Sequence, residues 1–259
     1  MMRSENDAQI NLRSLETLKK SRSQGDSCMI TERYTSGEYL NQYPTWHEED
    51  SPHKVRQILK MLKRNNLNAK TYCEVGSGAG EILKLLQQEL PEDCHFWGYD
   101  ISPQAFEISK PKSNARLQFK VKDFLEEENV YFDVILLIDL IEHLEDYYGF
   151  LRKIKSKSDY KILHIPIDLY VLRVLLGGYL MRVRKRGGHL HYFNKEIALV
   201  ILKDTGYEVL DFFYTPCHET PIKNRKAYFI RPLRRFFCRI NQDLTTNILG
   251  GFSLMVLAK

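Results

Sequence analysis

Four histidines in the second half of the chain could exchange protons with a substrate: His143, His164, His189 and His191. Imidazole changes its protonation near neutral pH, so each is a candidate general base for an acceptor that must lose a proton. His189 and His191 alternate in the stretch GGHLHYF, which puts both rings on one side if the segment is extended. We predict catalytic roles for His143, His189 and His191. For His143 the alternative is a structural role, in which the ring bonds a neighbouring backbone group.

Two acids precede His143 at a spacing that could hold a metal. Asp139, Glu142 and His143 stand at i, i+3 and i+4, so one helical face can carry all three. Together with His189 or His191 they would form a mixed oxygen and imidazole site for a divalent cation. Such a cation could lower the pKa of an acceptor hydroxyl. We assign no metal ligand from this pattern and keep the cation as an alternative.

A glycine-rich stretch, CEVGSGAGE, has the features of a turn that holds a ligand against the backbone. Gly76, Gly78 and Gly80 alternate with other residues, so the third glycine is misplaced for the G-x-G-x-x-G fingerprint of dinucleotide sites. Glu81 would also repel a pyrophosphate. Glu74 can instead accept hydrogen bonds from an ammonium group. S-adenosylmethionine carries an ammonium, a sulfonium and an adenosine, and it has no phosphate.

Two further acids end predicted strands. Asp100 closes the second strand, 20 positions after Gly80, where it can accept both ribose hydroxyls. Asp123 ends the third strand and can accept from the adenine amino group, with Phe124 or Ile101 against the ring. All four lie at carboxyl ends of strands, where open α/β sheets bind ligands. For Asp123 a solvated acidic loop is the alternative, because EEEN follows shortly after.

The elements that would position these residues alternate between strand and helix. Five strands are predicted, in TYCEVGS, HFWGYDIS, LQFKVKDF, FDVILLIDL and YKILHIPI. Their alternation with helices indicates a parallel sheet with right-handed crossovers, an α/β fold. A long insertion, residues 168–193, then precedes a helix and two final strands, YEVLDFFYT and GGFSLMVLAK, which we expect to be antiparallel neighbours. The basic stretch between those two strands is predicted to be irregular.

These motifs together resemble a known family. EVGSGAGE, GYDIS, KDF, FDVILLIDLIEHLED and GYEVLDFFY are similar, in order and spacing, to the successive motifs of class I S-adenosylmethionine-dependent methyltransferases. The resemblance covers roughly residues 45 to 259. It implies a Rossmann-like α/β fold whose seven-stranded sheet has the order 3-2-1-4-5-7-6, with the last strand antiparallel and helices on both faces.

The resemblance also implies roles for individual residues and a product, S-adenosyl-L-homocysteine. Residues expected to bind the methionine part are Glu74 and the backbone of Gly76, Ser77, Gly78 and Gly80, with the end of the fourth strand near Ile138 meeting the ammonium. Asp100 is expected at the ribose, and Ile101, Asp123 and Phe124 at the adenine. The acids before His143 are similar to those of plant small-RNA 2′-O-methyltransferases and some ubiquinone-pathway O-methyltransferases. An acid before EHL is, however, also ordinary in methyltransferases that have no metal.

The acceptor class is narrowed mainly by exclusion. The stretch IDLIE after the fourth strand lacks the Asn/Asp-Pro-Pro-aromatic pattern of amino-methylating DNA enzymes. Pro216–Cys217 follows the sixth strand instead of the fourth, which argues against a cytosine C5 nucleophile. We expect a small-molecule, glycan or lipid-linked acceptor that is methylated on oxygen, and no specific nucleic acid. The alternative class is a subunit that binds S-adenosylmethionine without catalysing transfer.

The chain is expected to divide into two parts. Residues 1–45 are predicted to be a flexible arm that ends in an aromatic lid segment, and residues 46–259 the methyltransferase domain. Tyr43 and Trp46 are the expected lid contacts to the cofactor. The apolar and then basic insertion could be a lid over an apolar substrate, a helix that touches a membrane surface, or a helix buried against the sheet.

Composition sets the outer limits. Hydrophobic residues make up 43% of the 259 positions, and the net charge of +5 is too small to indicate nucleic-acid binding by itself. The five cysteines form no CxxC pair, so neither a zinc knuckle nor a disulfide framework is indicated. The start has no apolar signal-peptide core, and no apolar run reaches the ~18 residues of a membrane span. We therefore predict a cytoplasmic protein.

Overall fold

The structure, a computed structural model, describes residues 29–216 and 225–259, and side chains within 32–216 and 232–259. Most of the predicted flexible arm lies outside the described residues. The seven strands are β1 Thr71–Val75, β2 His95–Asp100, β3 Leu117–Val121, β4 Phe132–Ile138, β5 Ser158–Pro166, β6 Val209–Pro216 and β7 Phe252–Ala258. The described helices are α1 Met29–Thr35, α2 Glu38–Gln42, α3 Ser51–Arg64, α4 Glu81–Glu89, α5 Pro103–Ser109, α6 Tyr147–Ile154, α7 Val171–Leu175, α8 Tyr179–Gly187, α9 Lys195–Asp204, α10 Arg225–Ile240 and α11 Gln242–Leu249.

The strands form one sheet in the order β3-β2-β1-β4-β5-β7-β6. Strands β1 to β5 pair in parallel, and β7 runs antiparallel to both β5 and β6. The predicted α/β fold, strand order and antiparallel last strand are therefore confirmed. The carboxyl ends of β1, β4 and β5 adjoin at one edge, which brings the residues that follow them together.

Two cores cover the two faces of this sheet. Side chains of β4 alternate between them: Val134, Leu136 and Ile138 belong to the core beneath α3 and α4, whereas Ile135 and Leu137 belong to the core beneath α6 and α9. All five are almost completely buried. A continuous apolar run is the pattern of a central parallel strand covered on both sides, so FDVILLI folds as its composition predicts.

The segment after β4 does not form the helical face expected for Asp139, Glu142 and His143. A short 3-10 turn, Ile141–His143, is followed by α6, which begins only after Asp146 caps it by accepting from the Gly149 N–H at 2.8 Å. Asp139 precedes the turn with a left-handed φ of 51°. Asp139 is therefore not on a shared α-helical face with Glu142 and His143, and the spacing argument for that face was wrong.

The basic stretch between β6 and β7 also differs from its prediction, since its described part contains α10 and α11. Leu233, Phe236, Phe237 and Ile240 recur at i, i+3, i+4 and i+7, a helical spacing that sequence analysis overlooked. Pro232 inside α10 obscured that pattern, because proline is unfavourable within helices. The insertion likewise forms two short helices, α7 and α8. None of the helices in the described part combines the length and hydropathy that crossing a bilayer requires.

Candidate active site

A cavity of about 330 Å³ lies at the carboxyl edge of the sheet, a size within the usual range of ligand pockets. Its walls come from the glycine-rich turn after β1, the segment after β4, the end of α8 together with His189, and the chain before and within α3. Among residues assigned a role from sequence, those that line it are Tyr43, Trp46, Glu74, Gly76, Ser77, Gly78, Gly80, Ile138, His143 and His189.

The turn between β1 and α4 needs its glycines. Gly76, Gly78 and Gly80 have φ of 75°, 51° and 76°, a region that side chains disfavour. A Cβ on Gly80 would lie 2.4 Å from the Phe119 ring, and one on Gly78 would lie 2.5 Å from the indole of Trp46. The turn therefore presents bare backbone to the cavity, as a closely approaching ligand requires.

Glu74 lies at the end of β1 with its carboxyl in the cavity wall. The residue is 2% exposed, and Oε2 has no hydrogen-bond partner among the described residues. Burial raises the pKa of Glu74 to about 8, although the nearby ammonium of Lys54 opposes the shift. A buried acceptor without a partner is costly. A ligand ammonium placed here would satisfy Glu74, which agrees with its predicted role.

Lys54, on α3, was not identified from sequence but lines the cavity beside Glu74. Its ammonium lies 2.7 Å from Oδ2 of Asp139, whose other oxygen accepts from Nδ1 of His164 at 2.6 Å. His164 Nε2 is engaged by Thr215 at 2.9 Å. Burial opposes the charge of Asp139, but Lys54 and His164 outweigh it and hold the pKa of Asp139 well below its usual range. Both oxygens of Asp139 and both ring nitrogens of His164 therefore already have partners within the protein.

His143 sits on the 3-10 turn and faces the cavity. Its Nδ1 lies 3.2 Å from the Gly188 carbonyl and 3.0 Å from the Tyr34 hydroxyl. A carbonyl can only accept, so the tautomer that bonds Gly188 has its proton on Nδ1 and offers Nε2 as an acceptor. Burial, together with neighbouring His189, lowers the pKa of His143 to about 4. The ring is therefore neutral near pH 7.

His189 pairs with an acid that sequence analysis missed. Its Nδ1 lies 2.7 Å from Oδ2 of Asp168, and Arg173 donates to the other carboxylate oxygen. Burial opposes the charge of Asp168, but the His189 hydrogen bond and the Arg173 charge outweigh it and lower the pKa of Asp168. Because Nδ1 is engaged, Nε2 is the nitrogen that His189 can offer in the cavity. The position of Asp168 could have identified it from the sequence, because it stands two residues beyond the end of β5.

Glu142 is a second buried carboxyl in the cavity wall. It is completely buried, and neither oxygen has a hydrogen-bond partner within the described residues. Burial raises the pKa of Glu142 well above its usual range, and the charges of Asp139 and Asp168 add to the shift. Glu142, His143 and His189 each offer a ligand atom, all within 4.8 Å of one another. This set differs from the cation alternative drawn from sequence, in which Asp139 took part.

His191 does not reach the cavity. Its Nε2 lies 3.0 Å from the Leu144 carbonyl, and its ring packs edge-on against Tyr147 at 4.6 Å between centroids. The backbone explains the divergence from His189: the N–H groups of Leu190 and His191 both donate to the Glu142 carbonyl, at 2.8 and 3.2 Å. The segment is therefore bent, and the two imidazoles do not share a side as an extended strand would require.

The predicted ribose and adenine residues lie outside the cavity lining. Asp100 accepts from the backbone N–H groups of Gly78 and Ser102, both at 2.8 Å. Asp123 caps a short turn through the Leu125 N–H, and Phe124 is buried at 1% exposure in the core. Ile101 follows Asp100 at the same sheet edge and likewise stays outside the lining. Phe124 therefore does not present its ring to the cavity, and the roles of the other three stay predictions.

An aromatic cluster covers this edge of the sheet. Tyr39 is 8% exposed, and its ring centroid lies 4.9 to 5.1 Å from those of Tyr34, Tyr43 and Trp46. The Thr35 carbonyl accepts from Gln104 at 3.1 Å, which ties the same segment to the chain just beyond β2. The residues before α3 thus lie across the sheet from His143 to the glycine-rich turn.

Comparison with solved structures shows the same fold in several methyltransferases. Magnesium protoporphyrin IX methyltransferase from Synechocystis, with bound SAH, is 15% identical with a TM-score of 0.51, over 99% of this chain and 98% of that chain. The N-methyltransferase NodS from Bradyrhizobium japonicum, in complex with S-adenosyl-l-homocysteine, is 14% identical with a TM-score of 0.53, over 89% and 96%. The methyltransferase domain of bacterial-CtHen1-C is 18% identical with a TM-score of 0.53, over 85% and 98%.

The sequence comparisons give the family. No curated protein sequence matches the chain significantly. A family profile described as a methyltransferase domain matches residues 46–211, which is more than half of the chain. The matched span contains the glycine-rich turn, the segment after β4 and the insertion with His189. The chain therefore belongs to the class I S-adenosylmethionine-dependent methyltransferases, as the order of its motifs predicted.

Proposed function

We propose that this methyltransferase transfers the methyl group of S-adenosylmethionine to a hydroxyl of a small, glycan or lipid-linked acceptor, with His189 as the general base. The observation that carries the proposal is the 2.7 Å pairing of His189 Nδ1 with Asp168, at the wall of the cavity. A buried carboxylate of this kind holds an imidazole in the tautomer whose Nε2 accepts a proton, and stabilises the imidazolium that forms.

The cavity offers complementary groups for the donor. Glu74 can accept from the methionine ammonium, and the bare backbone from Gly76 to Gly80 lets the donor approach closely. Lys54 is a cation on the same wall and can pair with the methionine carboxylate. Opposite charges at the two ends of the amino acid would orient the sulfonium, and orientation is a major part of the barrier for an in-line displacement.

The transfer itself needs few protein groups. The acceptor hydroxyl gives its proton to Nε2 of His189, and its oxygen forms a bond to the methyl carbon. The bond from that carbon to sulfur breaks, and its electron pair returns to sulfur, which gives neutral S-adenosyl-L-homocysteine. Asp168 stabilises the charged imidazole. Glu142, which is completely buried and has no hydrogen-bond partner among the described residues, is available to hydrogen-bond the acceptor.

The fold alone does not identify the acceptor. The similar solved structures carry names as different as a magnesium protoporphyrin IX methyltransferase and an N-methyltransferase. An amine acceptor that is already neutral needs no base, whereas a hydroxyl does. The Asp168–His189 pair therefore favours oxygen over nitrogen as the acceptor atom.

The test is release of S-adenosyl-L-homocysteine with a panel of hydroxyl compounds, in the parent chain and in two variants. Loss of a general base costs about 10² to 10⁴ in rate, so His189→Ala should fall by that amount. His191→Ala is the matched control, because its ring bonds the Leu144 carbonyl outside the cavity. Equal turnover in the parent and His189→Ala would exclude His189 as the base.

A second candidate is metal-assisted transfer, which the Glu142, His143 and His189 set favours. The residues fit a divalent cation: both imidazoles have Nδ1 engaged, by Gly188 and Asp168, which leaves Nε2 to bind a metal. A bound cation would lower the pKa of the acceptor hydroxyl. Activity with and without a chelator separates the two candidates, because the base mechanism predicts no difference. Calorimetric titration with Zn²⁺ and Mg²⁺ gives a second readout, in which His143→Ala should abolish binding.

A further inference from the structure

Three neighbouring helices outside the cavity leave large apolar side chains in solvent. Leu175 and Leu176 at the end of α7 are 77% and 73% exposed, and Phe236 and Ile240 on α10 are 62% and 69% exposed. Val174 on α7 and Leu244 on α11 are also more than half exposed. We call these six residues the apolar face. Grouped exposure of this kind is unusual on a monomer and marks an interaction surface.

Contacts between the helices place the residues of the apolar face on adjoining elements. Helix α7 packs on α11, and α11 packs on α10. Arg234 of α10 donates to the Leu249 carbonyl at the end of α11, and the Tyr170 ring that precedes α7 lies against Gly250. The exposed residues of α10 recur at helical spacing, so they are the apolar side of an amphipathic helix and not scattered positions.

The charges around the apolar face are almost all positive. Helix α8, which adjoins α7, carries Arg182, Arg184, Lys185 and Arg186. Helix α10 carries Arg234, Arg235 and Arg239 among its described side chains. The sequences of α7, α8, α10 and α11 contain a single acid, Asp243, and it pairs with Lys195 at 2.6 Å. An apolar stripe bordered by arginine and lysine complements a bilayer with anionic headgroups, since the apolar side chains enter the interface and the cations meet the phosphates.

We propose that α7, α8, α10 and α11 form a peripheral docking surface for an anionic lipid bilayer. The surface is next to the cavity, because α8 ends at Gly187 and His189 follows two residues later. A bilayer against this surface would bring the cavity to the headgroup level. The acceptor is then a lipid-linked hydroxyl presented at the interface. This identification of the acceptor rests on the proposed function, whereas binding to the bilayer does not.

The experiment is co-sedimentation of the full chain with two kinds of vesicle, phosphatidylcholine alone and phosphatidylcholine with phosphatidylglycerol. We expect binding to the anionic vesicles, weakening as salt is raised, and little binding to the neutral ones. Leu175→Ser, Leu176→Ser, Phe236→Ser and Ile240→Ser combined should weaken binding by about tenfold or more. Val200→Ser with Leu210→Ser is the matched control, since both residues are exposed but lie on α9 and β6.

A second set of variants tests the charges without changing apolar side chains. Lys185→Glu, Arg235→Glu and Arg239→Glu together should weaken binding to anionic vesicles by at least about tenfold. Lys63→Glu, Arg152→Glu and Lys153→Glu reverse three exposed charges on α3 and α6 and should leave binding unchanged. Thermal unfolding of each variant verifies that it is folded.

Three results would overturn the docking surface. The first is that the parent chain does not bind anionic vesicles at low salt. The second is that the test and control variants lose vesicle binding equally. The third is a dimer in solution that the serine variant converts to monomers. The last would show that the apolar face joins two copies of the chain. A chain that binds anionic vesicles through this surface but releases no S-adenosyl-L-homocysteine with any hydroxyl would refute the proposed function and leave the docking surface intact.

Discussion

The indole of Trp46 lies directly against Gly78, so that a Cβ on the glycine would sit 2.5 Å from the ring. Gly78 belongs to the turn predicted to hold the donor, and Trp46 belongs to the aromatic cluster that covers the same edge of the sheet. The tryptophan therefore lies where a donor bound along the turn would contact it. Both residues line the cavity.

Fluorescence should consequently report donor binding. The chain has two tryptophans, Trp46 and Trp97, and Trp97 packs against Phe132 in the core. We expect saturating S-adenosyl-L-homocysteine to change the emission of the parent chain, because the polarity around the Trp46 indole changes. Trp46→Phe should lose the response while keeping the emission of Trp97. An unchanged spectrum under conditions where calorimetry shows the product bound would place Trp46 outside the donor site.

Asp100 ends β2, the strand next to β1, and tests the ribose assignment. Asp100→Ala should weaken S-adenosyl-L-homocysteine binding by about tenfold or more, since hydrogen bonds to a charged group are worth about 1.5–3 kcal/mol each. Part of the loss would come from the Gly78 N–H, which donates to Asp100 at 2.8 Å. Asp93→Ala is the control, because this acid pairs with Lys70 outside the cavity lining. Calorimetry that finds equal affinities for the parent and Asp100→Ala would refute the assignment.

The sheet could be predicted from sequence because its signals are local. The apolar run of β4 predicted a central strand. The acids at the ends of β1 and β2 were predicted to bind a ligand because parallel strands bind ligands at their carboxyl ends. Helix caps are equally local signals: Asn194 stands just before an apolar helical pattern and caps α9 by accepting from the Ile197 N–H at 2.8 Å.

The side-chain partners could not be predicted, because they depend on contacts between distant segments. Asp168 and His189 are 21 positions apart and meet because the end of the insertion returns to its start, where the Leu169 N–H donates to the Phe193 carbonyl. Lys54 meets Asp139 across 85 positions, since α3 packs over the end of β4. The expectation that His189 and His191 share one side failed for a related reason, because two N–H groups donate to the Glu142 carbonyl and bend a segment that looked extended.

The raised pKa of Glu74, about 8, predicts that donor binding depends on pH. Below that value the empty site holds a neutral carboxyl, whereas an ammonium ligand favours the carboxylate. Binding must therefore release a proton, and affinity should fall as pH decreases from about 8. Calorimetry at pH 7 in two buffers of different ionisation enthalpy measures this release. Glu74→Gln should bind more weakly and release no proton from this site.

The same carboxyl should lower the stability of the ligand-free fold near neutral pH. The pKa of Glu74 is raised on folding, so the folded state binds more protons than the unfolded state between about pH 4.5 and 8. The free energy of unfolding should therefore fall as pH rises through this window, because the buried carboxyl must ionise. Glu74→Gln should raise the free energy of unfolding at pH 7 by up to about 3 kcal/mol, and by little at pH 4. Denaturant unfolding at both values measures the difference, and an equal change at both would contradict it.

The Asp168–His189 pair gives a prediction that separates positioning from folding. Asp168→Asn keeps the shape of the side chain but removes its charge, and the amide can donate to Nδ1, which leaves Nε2 protonated and unable to accept. We expect kcat to fall by about 10² or more while KM changes little, since Asp168 acts on the base and not on the acceptor. Asp146→Asn is the matched control: it makes the same chemical change at the cap of α6, where the carboxyl bonds the Gly149 N–H. That variant should lose at most about 2 kcal/mol of stability and no activity. If Asp168→Asn raises KM with kcat unchanged, Asp168 serves through Arg173 to order the insertion, and the base must be sought elsewhere on the cavity wall.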